Sequence, residues 1–156
     1  MRQEIRDSEL SRYVVAHRPR LVRAARLLTA GDDAAAEDLV QTTLTQLCVH
    51  WPRVSRAHDQ AAYGFRSSTN AFLDEQRRAH RRRELVTHAT PEVAESSADP
   101  ETRRLVMDAL EHLAPRRRAV VVLRHFLQYD VTATAEALGC AEDREAAEHQ
   151  GLRAPA

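Results

Sequence analysis

Apolar residues along this chain recur at three- and four-residue steps, the period of helices buried on one side, and strand-like alternation is absent. A first helix is predicted over residues 8–28, with Leu10, Val14, His17, Leu21, Ala25 and Leu28 inward and Ser8 or Ser11 as N-cap. The Thr-Ala-Gly-Asp-Asp run at 29–33 breaks it, and Asp32 or Asp33 caps a second helix over 34–50. That helix turns Val40, Leu44, Leu47, Cys48 and Trp51 inward and leaves Leu39 outside the stripe, until Pro52 ends it. A polar loop, 53–60, leads to a third helix over 62–83. Residues 85–100 lose the apolar period and read as a linker rich in Thr, Ser and Pro. Beyond it, 101–113 is amphipathic through Leu105, Val106, Ala109, Leu110 and Leu113. Pro115 opens a further helix burying Ala119, Val122, Leu123 and Phe126. A short helix over 131–138, a turn at Gly139 and a last helix over 141–150 complete a helix-turn-helix outline. The fold class is all-α: two small helical domains, 8–84 and 101–150, joined by the 85–100 linker.

The third helix has two unlike faces. Ala62, Phe65, Thr69, Phe72, Leu73 and Gln76 form the packing stripe. Opposite stand Tyr63, Arg66, Ser67, Asn70 and Asp74, running into Arg77, Arg78, Arg81, Arg82 and Arg83. Cations suit a helix C-terminus, which accounts for one or two arginines but not for five. An aromatic to stack on bases, an amide to bond their edges and guanidinium groups for phosphates make up a nucleic-acid face.

Net charge sharpens that reading only when divided. The whole chain is neutral, yet residues 1–84 hold 15 Arg against 11 acids, and 85–156 hold 8 against 12. The N-terminal half therefore carries the expected polyanion contact. Cys48 and Cys140 are too few and too far apart for a disulfide scaffold, and no regular set of ligands calls for a metal or cofactor; both read as small buried thiols. Neither a leader nor a membrane-spanning apolar run is evident, so a soluble cytoplasmic protein with no membrane partner is expected.

Three segments together resemble bacterial RNA polymerase sigma factors of the extracytoplasmic-function group, in particular a small actinobacterial subgroup. They are AEDLVQTTL at 36–44, the Asn70–Asp74–Arg77–Arg78 helix, and LEHLAPRRRAVVVLR at 110–124 continuing to AEALG at 135–139. The resemblance implies that the first domain is sigma region 2. There the 36–44 helix would dock on the clamp helices of the largest core polymerase subunit, with polar contacts from Asp38 and Gln41 and an exposed Leu39 packing beside them. It also implies that the 53–60 loop and the 63–83 helix bind the minus-ten element of promoter DNA, one strand of which must open. Asn70 would read an unstacked base, and Tyr63 is the best stacking candidate, an ordinary rim tyrosine being the alternative. Arg66 joins this DNA-binding set, and Arg77, Arg78, Arg81 and Arg82 would hold phosphates, with Asp74 orienting Arg77 or Arg78.

The second domain would be region 4, whose last helix the family places on the minus-thirty-five element. Here AEDREAAEHQ at 141–150 sets four acids against one arginine, −3 in front of a polyanion, and Glu145 stands where an inward apolar residue belongs. Impaired minus-thirty-five recognition follows. The expected function is a dissociable, non-enzymatic polymerase subunit that directs promoter-specific initiation, with an anti-sigma factor as an open further partner. Two rivals stand beside it: a sigma-like, polymerase-binding adaptor that does not initiate, and a helix-turn-helix repressor, which the charge of the C-terminal half disfavours.

Overall fold

The computed structural model describes residues 1–82 and 99–139, and within these every regular element is helical. They are α1 (Arg2–Leu28), α2 (Asp33–Val49), α3 (Trp51–Val54), α4 (Gln60–Arg82), α5 (Pro100–Glu111), α6 (Pro115–Val121), a π-helical continuation (Val122–Phe126) and α7 (Val131–Leu138). Residues 85–98 of the predicted linker, Arg83, Cys140 and the last predicted helix lie outside the described residues, and the linker's predicted last two residues, Asp99 and Pro100, instead cap and open α5.

Local chemistry sets most boundaries. At the end of α1 the chain turns through left-handed Ala30 and Gly31, and the Gly31 amide returns to the Arg26 carbonyl at 2.9 Å. Asp32 then caps α2 by accepting from the Ala35 amide at 3.0 Å. Asp59, Asp99 and Asp130 do the same for α4, α5 and α7, and Gly139 closes α7 at φ 65°. Two predicted boundaries are corrected. α1 starts at Arg2, so Ser8 and Ser11 are interior residues rather than caps. Pro52 does not end α2; it sits in the first turn of α3, where its missing amide hydrogen costs nothing.

α1, α2 and α4 pack on one another, and α6, the π-helical segment and α7 pack against α1 and α4. The two halves of the chain share one apolar cluster. Leu21, Leu28, Val40, Phe65 and Phe72 meet Val120, Leu123, Leu127 and Leu138 there. A smaller cluster of Tyr13, Leu47, Trp51 and Val54 lies under α3. Here the heptad-like reading of α1 chose His17 and missed Tyr13, which is the buried aromatic. The Tyr13 hydroxyl donates to the Gln60 carbonyl at 3.0 Å and lies against Gly64, where any Cβ would collide with it. That close approach explains a glycine in the middle of a helix.

Other predicted faces are corrected. Leu39 is only 7% exposed and belongs to the shared cluster, because α2 is covered by α1 on one side and α4 on the other. Cys48, expected inward, is exposed. On α5 only Leu110 is buried; Leu105 and Val106 stand out at 64% and 44% exposure, and Ala109 is exposed too.

Arg118 ties the halves together. Its guanidinium donates to the carbonyls of Leu110 at 2.8 Å, Leu113 at 3.2 Å and Leu28 at 2.9 Å, the last across the two halves. It also lies 6.0 Å from the centre of the Phe72 ring. Burial lowers its pKa from the ordinary arginine value, with the nearby Glu111 carboxylate acting the other way.

Candidate nucleic-acid interface

α4 is amphipathic over its whole length, so burying Phe65, Ser68, Thr69, Phe72 and Leu73 commits the opposite side to solvent. Along that side Tyr63 is half-buried, and Arg66, Asn70, Asp74, Arg77, Arg78, Arg81 and Arg82 are exposed. The seven residues predicted to bind DNA thus share one helix face.

The arginines are not without acids of their own. Arg77 pairs with Asp74 at 3.1 Å, and Arg78 and Arg82 approach Glu75 at 3.8 and 3.9 Å. Arg81 Nε donates to the Arg77 carbonyl at 3.4 Å. These pairs are short-range and solvated: the side chains of Arg77, Arg78 and Arg82 remain 62%, 55% and 52% exposed. Such pairs contribute roughly 0–1 kcal/mol each, so phosphates can compete for the guanidinium groups. Of the two arginines that Asp74 could orient, it is Arg77 that it holds.

Near the start of this face, α4 meets the end of α2 and α3 across an open cleft of about 230 Å³. Tyr63, Ser67 and Asn70 line one wall, and Gln46, His50 and Arg53 the other. On the opposite wall, Arg53 belongs to the 53–60 segment already expected to meet the minus-ten element, whereas Gln46 and His50 were not anticipated from sequence, since they reach α4 only through tertiary packing. Ser67 Oγ donates to Gln46 Oε1 at 3.2 Å, fixing one amide at the rim. His50 Nδ1 lies 2.9 Å from the Gln46 carbonyl; only a protonated Nδ1 can bond there, which turns Nε2 into an acceptor in the neutral ring. The cleft therefore combines an aromatic, two amides, an imidazole and two guanidinium groups, a set able to hold a flat polar ring and its phosphates.

Arg66, which also lines the cleft, is shared with the other half of the molecule: its Nη2 lies 3.4 Å from Glu136 Oε2 on α7. Tyr129 packs at the same junction, where burial and then the Asp59 carboxylate raise its pKa, opposed by Arg66 and Arg20.

The predicted polymerase-contact residues divide. Asp38 and Gln41 are exposed on one side of α2, next to Glu37, which accepts from Arg18 at 2.9 Å and from Gln41 at 3.4 Å. Leu39 is buried and cannot serve as an exposed apolar contact. In α7, Thr134 is fully buried and bonded to the Asp130 carbonyl. No group of three potential metal ligands occurs, and no helix is long and apolar enough to cross a membrane, among the described residues.

Comparison with known proteins places this geometry. Residues 13–82 match Sigma-70 region 2, and residues 103–143 match Sigma-70 region 4. The RNA polymerase sigma-E factors of Streptomyces avermitilis and Streptomyces coelicolor are 37% and 38% identical to the chain; each alignment covers 84% of it and 73–74% of the relative. The ECF RNA polymerase sigma factor SigL of Mycobacterium tuberculosis is 33% identical over 81% of the chain and 74% of its own length. The fold is shared with the sigma factor RpoE of Bartonella quintana, solved in complex with the anti-sigma factor NepR. The TM-score is 0.76 at 18% identity, over 92% of this chain and 91% of the other.

Proposed function

Starting from a chain that belongs to the extracytoplasmic-function group of RNA polymerase sigma factors, a family that serves transcription initiation, we propose that it binds core polymerase and selects promoters through their minus-ten element. The observation that carries this reading is the cleft at the head of the arginine-bearing face of α4. A base leaving the stack would enter between Tyr63 and Asn70, and each base stacked on an aromatic contributes about 1–3 kcal/mol, enough to trap a melted step. Arg77, Arg78, Arg81 and Arg82 would follow the phosphates of the adjoining duplex, supplying affinity without sequence information. Asp38 and Gln41 would meet the clamp helices of the largest polymerase subunit.

The domains assigned to these tasks are 8–84 and 101–150 with the 85–100 linker between. The −3 charge of residues 141–150 argues that minus-thirty-five recognition is impaired. Arg66 is paired with Glu136 through a solvated contact, for which a phosphate can compete. The same acidic 141–150 segment favours, as a second reading, a sigma-like regulator or adaptor that holds polymerase without initiating. An anti-sigma factor is a natural partner for either, as it is for the Bartonella protein.

The test is binding of a forked promoter probe with core enzyme, read against salt. Changing Arg77 and Arg78 to alanine removes two phosphate contacts, so the slope of log K against log salt should shrink by about 2. An unaltered slope would place the DNA elsewhere. Transcription in vitro separates the two readings: a regulator gives probe binding with core but no transcript.

A further inference from the structure

The match to Sigma-70 region 2 begins at residue 13, yet α1 begins at Arg2, about three helical turns earlier. Of the apolar side chains on this arm, Ile5 is exposed, and Leu10 packs on the cluster of Tyr13, Leu47, Trp51 and Val54. Two polar contacts add to that packing. The Arg6 guanidinium donates to the Cys48 carbonyl at 2.7 Å, and Trp51 Nε1 donates to Glu9 Oε2 at 3.2 Å.

These contacts bracket His50. α2 ends at Val49 and α3 begins at Trp51, so His50 alone separates them, closing one helix and starting the next. With no loop to absorb error, the angle between the two helices is set at this one residue, at φ −98° and ψ 18°. α3 is four residues long, too short to hold its place by its own hydrogen bonds. Arg6 and Glu9 stand one turn apart on α1, and they grip Cys48 and Trp51 on either side of the junction, so the arm lies along it as a splint. A cation on a last-turn carbonyl also suits the dipole at the end of α2. His50 and Arg53, on the far side of this junction, line the cleft of Tyr63 and Asn70.

We propose that Arg6 and Glu9 are positioning residues for promoter reading: they hold the α2–α3 junction so that His50 and Arg53 meet the base lodged at Asn70. This rests on the minus-ten reading and deepens it. Neither residue touches the DNA, which separates their effect from that of a surface charge. Glu9 has the same sign of charge as DNA, so by field alone its removal would tighten binding. As half of a splint, its removal loosens binding.

The experiment uses holoenzyme assembled from the full chain and forked promoter probes, each open-strand nucleotide replaced in turn by an abasic site. The cleft position is the one whose base matters to wild type and not to Asn70→Ala. Glu9→Ala and Arg6→Ala should each bind the intact probe about fivefold more weakly than wild type, and the probe abasic at the cleft position equally well. The loss should vanish in a His50→Ala background, and the slope of affinity against salt should not change. Glu9→Gln and Arg6→Lys, which keep the acceptor and the donor, should recover most of the affinity. If Arg6→Ala fails to fold, by its circular dichroism melt, Glu9→Ala at its exposed site carries the test alone; unfolding of both makes the arm part of the core and overturns the proposal. Unchanged or tighter binding by Glu9→Ala also overturns it, as does an equal loss on the abasic probe or a loss that persists beside His50→Ala. So does a slope reduced by about 1 in Arg6→Ala, the mark of a phosphate contact. If wild type is indifferent to every abasic site, the minus-ten reading falls and this inference with it. If the arm variants alone are silent, only this inference falls.

Discussion

The two halves of this molecule use the same residue for opposite ends. In the α1–α4 half, Arg77, Arg78 and Arg82 stand more than half exposed, balanced by weak pairs along their own helix. In the α5–α7 half, Arg118 is drawn inward and spends its donors on backbone carbonyls of both halves. The chain contains no lysine, so residue type does not tell these roles apart. What differs is whether the guanidinium finds fixed acceptors or mobile ones. The first makes a structural peg, and the second a surface that exchanges partners.

Breaking the peg should have the largest effect. Arg118→Ala leaves carbonyls of Leu28, Leu110 and Leu113 short of their donor and should cost about 3–4 kcal/mol in urea unfolding, while Arg77→Ala stays within about 0.5 kcal/mol. Equal losses would erase the contrast.

The smaller cluster offers the next test. Burial, followed by the Asp59 carboxylate and Tyr129, pushes the Tyr13 hydroxyl up to about 12 from 10.0. A raised folded pKa means that the native state keeps a proton the unfolded chain has released. Its contribution is full below pH 10 and fades as pH climbs from about 10 to 12, a loss of about 2–3 kcal/mol. Denaturation curves across that window should show the fall, and Tyr13→Phe should flatten it.

Asp38→Ala and Gln41→Ala should leave melting unchanged and weaken recovery of core polymerase in a pull-down several-fold. Full recovery by both variants would remove them from the contact. Smallest in stability is the exposed pair between the halves: Glu136→Ala should cost under about 1 kcal/mol while leaving Arg66 available to DNA. Tighter probe binding by that variant would sharpen the distinction between peg and exchangeable cation.

Legibility followed the locality of the physics. Helix α7 was read to the residue, with Gly139, its stop signal, directly after the helix in sequence. The polar face of α4 was legible for the same reason, its periodicity being contained in one helix. Leu39 was misplaced because a stripe drawn through Val40 and Leu47 ignores a second neighbour, and α2 has two. On α5 the period was present, yet Leu105 and Val106 meet solvent among the described residues: amphipathicity states a preference, not a partner. The cleft walls at Gln46 and His50 are brought to α4 by tertiary packing alone. No spacing rule could have found them.

The apolar cluster shared by Leu28, Phe72, Val120 and Leu138 bears on how the halves come apart. Separating them would wet hydrocarbon more than dissociate ions, since the Arg66–Glu136 pair that spans them is solvated and weak. Opening should therefore register as a rise in heat capacity and respond feebly to added salt. A calorimeter, more than a conductivity series, is the instrument to which this junction would answer.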